Sequence, residues 1–445
     1  MQIISLIQGL WVALIILMFF AKLRIGICLY VAYMILVPYM NINLGINLQW
    51  NFVNLILLFA FLLYWMNNKG GRKIDFKPFT PFLFLFFIRF LEMPFQNGVP
   101  LDFALNVFRK DLMQFLILPF VIWNYSRTDD NLIVPLRITA VISICIAFIY
   151  GLFLTTTNGI NPYQIYIQGA NGIVWDDSYS AVVEGRLFGR ISSVFNHPMT
   201  YGLFLGLSLT YIYSVRDSLK KYQLIIIFSG LVLAIFLCGI RSPIGALFVT
   251  LIVFLGLTHK VKLMLQIGLL GGLAYFILSM IPEMNSYVGS IFSDDKSNVS
   301  GSSLDMRLTQ LEGCFHEIRN NPIFGKGYSW DTYYIQKYGD HPVILSFESI
   351  AFSILCDGGF LGVLIFFIFL IKLFKRTSQI CRNEEVLVCA LTVIIYYLSY
   401  SLITGDYGYM LFMILFYVLT IINGNKKQIH ENSMVRNIDS LKISK

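Results

Sequence analysis

Charged residues are scarce in this 445-residue chain: they make up 13% of it against 57% hydrophobic, and the mean hydropathy is +0.70. A soluble domain carries roughly twice that charged fraction, so a string of soluble modules is excluded. Nucleotide chemistry lacks its signatures, since there is no Walker loop and no dinucleotide fingerprint. Metal chemistry lacks them as well. There is no HExxH motif, and the seven Cys are scattered without ligand spacing or a disulfide framework. The pairs Asp176-Asp177 and Asp294-Asp295 have no further ligands at a defined spacing, which favours solvated loops over a cation site. No metal and no cofactor are expected. The first apolar run ends at Lys22 and Arg24 without a small-residue cleavage pattern, so no cleavable signal peptide is expected. Internal repeats with paired broken helices are not apparent, which counts against a transporter.

What the chain does have is a succession of apolar runs of the length a helix needs to cross a hydrocarbon core. They fall at 3–20, 25–40, 50–66, 79–91, 111–124, 133–156, 198–214, 222–239, 243–258, 263–281, 346–370, 386–403 and 409–422. The expected fold class is all-α: a polytopic transmembrane helical bundle of about 13 spans, forming one integral-membrane domain over 1–422. Residues 423–445 read as a disordered cytoplasmic tail. Basic residues set the orientation. The side that receives 22–24, 67–78, 125–132, 215–221, 259–262, 371–385 and the tail holds, with Arg137, 22 Lys and Arg against 8 Asp and Glu. That side is read as cytoplasmic. The net charge of +8 is then a positive-inside bias, and no nucleic-acid partner is expected. Arg89 and Glu92, three residues apart near a helix end, read as a paired, snorkelling interface residue and its partner.

Two long loops, about 157–197 and 282–345, fall on the external side, together with the tight turn GIRSP at 239–243. The second loop belongs to the longest polar interruption of the chain, 281–362. Within it, 302–319 reads as an amphipathic surface helix. Ser302 and Asp305 fit a capping pattern, and Leu304, Leu308, Leu311, Phe315 and Ile318 lie on one face. That face could lie on the membrane surface or on the ends of the spans. Asn320, Asn321 and Pro322 stop the helix, and Gly325 and Gly327 make a turn.

The external loops concentrate arginine. Arg186, Arg190, Arg241 and Arg307 occur in three segments on one face, and a guanidinium is a natural bidentate partner for phosphate. Several around one cavity suggest a polyanionic headgroup such as a lipid pyrophosphate; lipid-headgroup or loop ion-pair contacts are the plainer reading of each. Glu348 starts an apolar run that enters the bilayer from outside, where an acid is costly unless it faces a cavity or a partner. It reads either as a general base or as a structural pair of an external arginine. Asp357, deeper in that run beside Gly358-Gly359, could line the same cavity. His341 is kept as a second candidate catalytic residue, although His341-Pro342 and His197-Pro198, each just before a span, also fit plain interface positions.

Three segments resemble the bacterial O-antigen polymerase and ligase superfamily of integral-membrane glycosyltransferases. They are GRISSVFNHPMTYG, GIRSPIGAL, and RLTQLEGCFHEIRNNPIFGKGYSW followed by ESIAFSILCDGGFLG. The resemblance implies a metal-independent transferase whose donor is an undecaprenyl-pyrophosphate-linked saccharide held by Arg190, Arg241 and Arg307. Ligases of this superfamily typically have His-Asn eleven residues before the first glycine of the re-entry Gly-x-x-Gly; here that position is Glu348-Ser349 before Gly359 and Gly362. This departure favours a repeat-unit polymerase over a ligase. The expected setting is the bacterial inner membrane, with the active face external. The expected partners are lipid-linked oligosaccharides, membrane lipids, a flippase and a chain-length regulator. Ligation of polymer to lipid A core and, less favoured, transport of a lipid-linked saccharide are the alternatives.

Overall fold

The computed structural model describes residues 2–38, 41–43, 47–68, 73–157, 161–165, 189–266, 268–269, 304–405 and 410–425. These are helical almost throughout, apart from a hairpin of two three-residue strands, Asn41–Asn43 and Asn47–Gln49. The helices are α1 (Gln2–Ala21), α2 (Leu23–Leu36), α3 (Trp50–Asn68), α4 (Thr80–Glu92), α5 (Leu101–Ser126) and α6 (Ile133–Leu154). After the first long loop come α7 (Pro198–Ser214), α8 (Lys221–Leu237) and α9 (Ser242–Leu257). The second loop contains α10 (Leu304–Glu317) and α11 (Trp330–Tyr338), and the chain continues with α12 (Ile350–Ile380), α13 (Glu384–Thr404) and α14 (Met410–Asn425).

Among the described residues, five segments are long and apolar enough to cross a membrane: Asn51–Asn68, Lys77–Phe95, Asp130–Thr157, Ile350–Ile380 and Glu384–Thr404. Shorter apolar helices lie at Ser5–Ala21, Leu23–Leu36, Lys221–Leu237, Ser242–Leu257 and Met410–Asn425. The expected run 25–40 is cut short, because α2 ends at Leu36 and the hairpin follows. The run 111–124 is instead the second half of a longer helix, α5. Most of 263–281, Asp294-Asp295 and the start of the second loop lie outside the described residues. So do Asp176-Asp177, Arg186 and the tail from residue 426.

Two helices are buried nearly all round and form the centre of the bundle, α7 and α14. That is what a helix apolar on every face does when other helices surround it. On α7, Gly202 and Gly206 leave the room that α13 needs. The Tyr396 hydroxyl donates to the Gly202 carbonyl at 3.1 Å, and a Cβ at Gly206 would stand 1.8 Å from the Tyr396 ring. Small residues four apart permit such close approach between helices in a membrane. A second, smaller core lies at the other side of α4 and α5. Met93, Val99, Ala104, Cys314, Ile318, Trp330, Ile344, Phe347, Phe352 and Cys356 build it, joining the second loop to α5 and the start of α12.

The apolar face of α10 read from the sequence is divided in the fold: Leu311 and Ile318 pack toward this cap, while Leu308 and Phe315 stay outside. Gln310, Cys314 and Ile318 are buried, whereas Leu308 and Phe315 are 54% and 45% exposed. Phe315 lies beside Phe360, itself exposed, at the head of a span. The exposed apolar side chains of α10 therefore continue the exposed apolar surface of α12, and Gly313, where a Cβ would stand 2.8 Å from the Val343 side chain, allows close approach of the 341–345 turn.

Candidate functional site

The cap built by the second loop is fixed to the bundle by a break in α12. Gly359 adopts φ +60° and ψ −156°, which divides α12 into a short upper segment and the span below it. The backbone groups freed by this break bond to the Pro322–Gly327 turn. The N–H groups of Phe360 and Leu361 donate to the carbonyls of Pro322 and Ile323 at 2.9 and 3.0 Å. In return, the N–H groups of Lys326 and Gly327 donate to Cys356 and Asp357 at 2.8 and 3.0 Å. A Cβ at Gly359 would lie 2.4 Å from the Pro322 carbonyl oxygen, so only glycine serves there. The segment 93–98 joins the same clasp: Gln96 donates to the carbonyls of Phe324 and Asp357 and accepts from the Tyr328 N–H.

Asp357 and Arg89 stand at this joint. Asp357 accepts the N–H groups of Ser329 and Trp330 at 2.9 and 3.0 Å, and so caps α11. Arg89 pairs with Glu92 at 2.9 Å, as its spacing suggests, and reaches to 3.9 Å from Asp357. It does not snorkel. Its residue is 9% exposed, and its guanidinium lies against α12, where a Cβ at Gly358 would be 1.9 Å from Nη1 and one at Gly362 2.8 Å. The slot these glycines leave turns the cation inward, toward two carboxylates. Asp357 is accordingly a cap and an ion-pair member. DGGFLG, read as a re-entry motif, is also the seat of Arg89.

Glu348 lies just before the N-cap of α12, where the Ser349 hydroxyl accepts the Ala351 N–H at 3.2 Å. Leu345 and Phe347, non-glycine residues at φ +57° and +54°, precede it. Residues held in this region are strained and cluster at functional sites. The Glu348 carboxylate receives Arg307 Nη2 at 3.2 Å, and Arg307 also donates to the Glu348 carbonyl and, at 2.6 Å, to the Ile403 carbonyl. One guanidinium thus ties α10 to the start of α12 and the end of α13. Both side chains keep about a fifth of their area open, 19% for Arg307 and 22% for Glu348.

The other arginine segments meet the bundle at the same end. Arg241 is the N-cap of α9, and one turn on, a Cβ at Gly245 would touch the Ile403 side chain at 3.6 Å. Two residues before Arg241, Gly239 comes so close to the first loop that a Cβ would stand 2.6 Å from the Gly189 carbonyl oxygen and 3.2 Å from Arg190 Cα. The Ile191 N–H donates to Cys238 there. The ends of the first loop are pinned together by Asn161, which donates to the Ser193 carbonyl at 2.7 Å and accepts from Tyr150 at 2.9 Å. Arg190 faces His197, whose ring accepts the Met199 N–H as the N-cap of α7. Burial, reinforced by the Arg190 charge, pushes the His197 pKa from 6.5 down to about 4. Tyr400 closes the group by donating to the Met199 carbonyl at 2.5 Å.

His341 has both ring nitrogens engaged. Nδ1 accepts the N–H groups of Val343 and Ile344 at 3.2 and 3.0 Å, and Nε2 lies 3.5 Å from Glu317. The ring is buried among Trp330, Tyr334 and Phe347. Burial alone would raise the Glu317 pKa, but Lys326, at 2.9 Å, and His341 outweigh it and hold the carboxylate below its ordinary range. His341 thus organises the 341–345 turn. Gln310, one turn beyond Arg307, is fully buried, and among the described residues neither its Oε1 nor its Nε2 has a hydrogen-bond partner. No spacing singled it out, since a glutamine on a polar helix reads as solvated. Arg307, Glu348, Arg241 and Arg190 are therefore gathered around the ends of α7, α9, α12 and α13, and His341 and Asp357 serve the cap beside them.

No curated protein matches the chain. Residues 225–367, which hold Arg241, Arg307, His341 and Glu348, match the family model described as O-antigen ligase.

Proposed function

We propose that this protein is a polysaccharide repeat-unit polymerase acting on undecaprenyl-pyrophosphate-linked oligosaccharides at the external face of a bacterial inner membrane. The family supports membrane glycosyl transfer of the polymerase or ligase type. What carries the finer reading is the pairing of Arg307 with Glu348, at an end of the bundle that also receives Arg190 and Arg241. In the proposed reaction a terminal sugar hydroxyl of one lipid-linked unit attacks the anomeric carbon of the lipid-linked chain. A glycosidic C–O bond forms and the bond from that carbon to the pyrophosphate oxygen breaks. Undecaprenyl pyrophosphate leaves as an anion stabilised by Arg190, Arg241 and Arg307. The hydroxyl proton passes to Glu348. The pyrophosphate linkage is already activated and needs no further energy source.

The Arg307–Glu348 contact gives this scheme an internal order. While paired, each group neutralises the other. A pyrophosphate arriving at Arg307 competes for the same N–H donors and frees the carboxylate to accept a proton. The base is thereby uncovered when donor is bound. Ligation to another acceptor is the second reading, favoured by the description of the matching family. Glu348-Ser349 in place of His-Asn supports the polymerase.

The test is complementation of a strain lacking the gene, with polymer length read on gels. Arg241→Ala and Glu348→Gln are each expected to abolish long polymer, with protein level in the membrane unchanged. Full polymer from both variants refutes the assignment of the site. A null strain that accumulates lipid-linked polymer, rather than single repeat units on the acceptor, identifies a ligase.

A further inference from the structure

The end of the bundle away from the arginine site holds a cavity of about 630 Å³ that the proposed reaction does not use. It lies between the α1–α2 turn and the ends of α3 and α5. Its walls are of two kinds. Phe19, Phe20, Ala60 and Leu63 make one side apolar, and Phe20 and Leu63 are 53% and 40% exposed, so that side opens onto the lipid-facing surface. Lys22, Arg24, Asn67 and Asn68 make the other side polar. Leu23 and Arg24 are also the first-turn residues of α2, whose N–H groups have no acceptor within the helix.

The charges are unbalanced in one direction. The acid among the lining residues, Asp129, accepts the hydroxyl of Tyr125, also a lining residue, at 3.0 Å and the Asn131 N–H at 2.9 Å, so the cavity holds two cations against one carboxylate. A second cavity at the same end, about 340 Å³, makes the contrast. It is lined by Arg216 and Lys260 but also by Glu384 and Glu385, and Arg216 is paired with Glu385. The first cavity therefore presents a net positive charge, two cations against Asp129, and a helix N-terminus beside its apolar side, at the end that the basic residues mark as cytoplasmic.

We infer that this cavity is a binding site for the headgroup of an anionic phospholipid of the inner leaflet. The phosphate would sit between Lys22, Arg24 and the first turn of α2, with its acyl chains along Phe20 and Leu63. Basic pockets between helices on the cytoplasmic side take such headgroups.

The site is tested on the purified full chain by native mass spectrometry, after incubation with phosphatidylglycerol or phosphatidylcholine of identical acyl chains. The expected result is one phosphatidylglycerol retained in preference to phosphatidylcholine. Each cation near an anionic surface contributes about fivefold, so Lys22→Gln with Arg24→Gln should lower that preference by about thirtyfold. Lys260→Gln with Lys262→Gln should leave it unchanged. Asn67→Asp, an exposed substitution at the rim, should also weaken retention by adding a like charge, and it keeps the test valid should the double variant fail to fold. Equal retention of the two lipids, or an unaltered preference in both site variants, overturns the proposal. Displacement of the lipid by inorganic phosphate at millimolar concentration would show a free-anion site and overturns it as well.

Discussion

Alanine at Gly358 should be costly through a residue far away in sequence, Arg89. The added Cβ would stand 1.9 Å from Arg89 Nη1, so the guanidinium must shift, and the Gly362 backbone, where a Cβ would stand 2.8 Å from the same nitrogen, bounds the slot on one side. Displacing Arg89 weakens its 2.9 Å bond to Glu92 and its approach to Asp357 while both carboxylates stay buried, with full loss of the pair as the upper limit. Breaking a buried ion pair by removing one partner costs about 3–5 kcal/mol. That compares with a whole-protein stability on the order of 5–15 kcal/mol. Gly256→Ala in α9 is the control, because a Cβ there meets nothing within 4 Å. Its effect should be a gain of up to about 1 kcal/mol from helix propensity. Unfolding by SDS titration in mixed micelles gives both numbers. The mechanism is specified further by a double-mutant cycle. In an Arg89→Ala background the clash is gone and the carboxylates are already orphaned, so Gly358→Ala should add less than about 1 kcal/mol. A cost that is the same with and without Arg89, or a Gly358→Ala protein as stable as wild type, refutes the reasoning.

His197 gives a pH dependence whose sign follows from its lowered pKa. Its folded-state value of about 4 lies below the unfolded 6.5, so the unfolded chain takes up the proton first as pH falls. The stability it contributes is full above pH 6.5 and is lost between about 6.5 and 4, by up to about 3 kcal/mol at 1.36 kcal/mol per unit. Thermal unfolding in detergent across that window checks it, and His197→Asn, which keeps an N-cap acceptor without titrating, should flatten the profile. His341→Ala should loosen the cap by about 2–4 kcal/mol, because it empties an aromatic box and orphans two buried N–H groups. Limited proteolysis between 338 and 348 should then proceed faster; an unchanged rate would show that the ring does not hold the turn.

Much of the architecture was legible because membrane helices announce themselves locally. A run of apolar residues of sufficient length is a property of consecutive positions, and so is the bias of basic residues between runs. The Arg89–Glu92 pair was legible for the same reason, being three residues apart on one helix. The pairing of Arg307 with Glu348 stood only as one of two readings of Glu348. Choosing it required the fold, because the partners are 41 positions apart and α10 must dock on α12 first. The sequence left open whether the apolar face of α10 lies on the membrane surface or on the ends of the spans, and the fold divides it, with Leu311 and Ile318 packed on the cap and Leu308 and Phe315 exposed.

By itself, then, the sequence determined the class of the protein, the ends of most helices and the family motifs that residues 225–367 share with O-antigen ligases. These depend on composition and short-range pattern. Only the tertiary structure decided what the motifs do. It made Pro-x-x-Gly-x-Gly and Asp-Gly-Gly the two halves of one backbone clasp, turned Arg89 from the interface into a glycine slot, and committed His341 and Asp357 to capping. The clasp and the Asp357 cap join segments 27 to 38 residues apart, and such bonds are set by where helices pack, not by any local pattern.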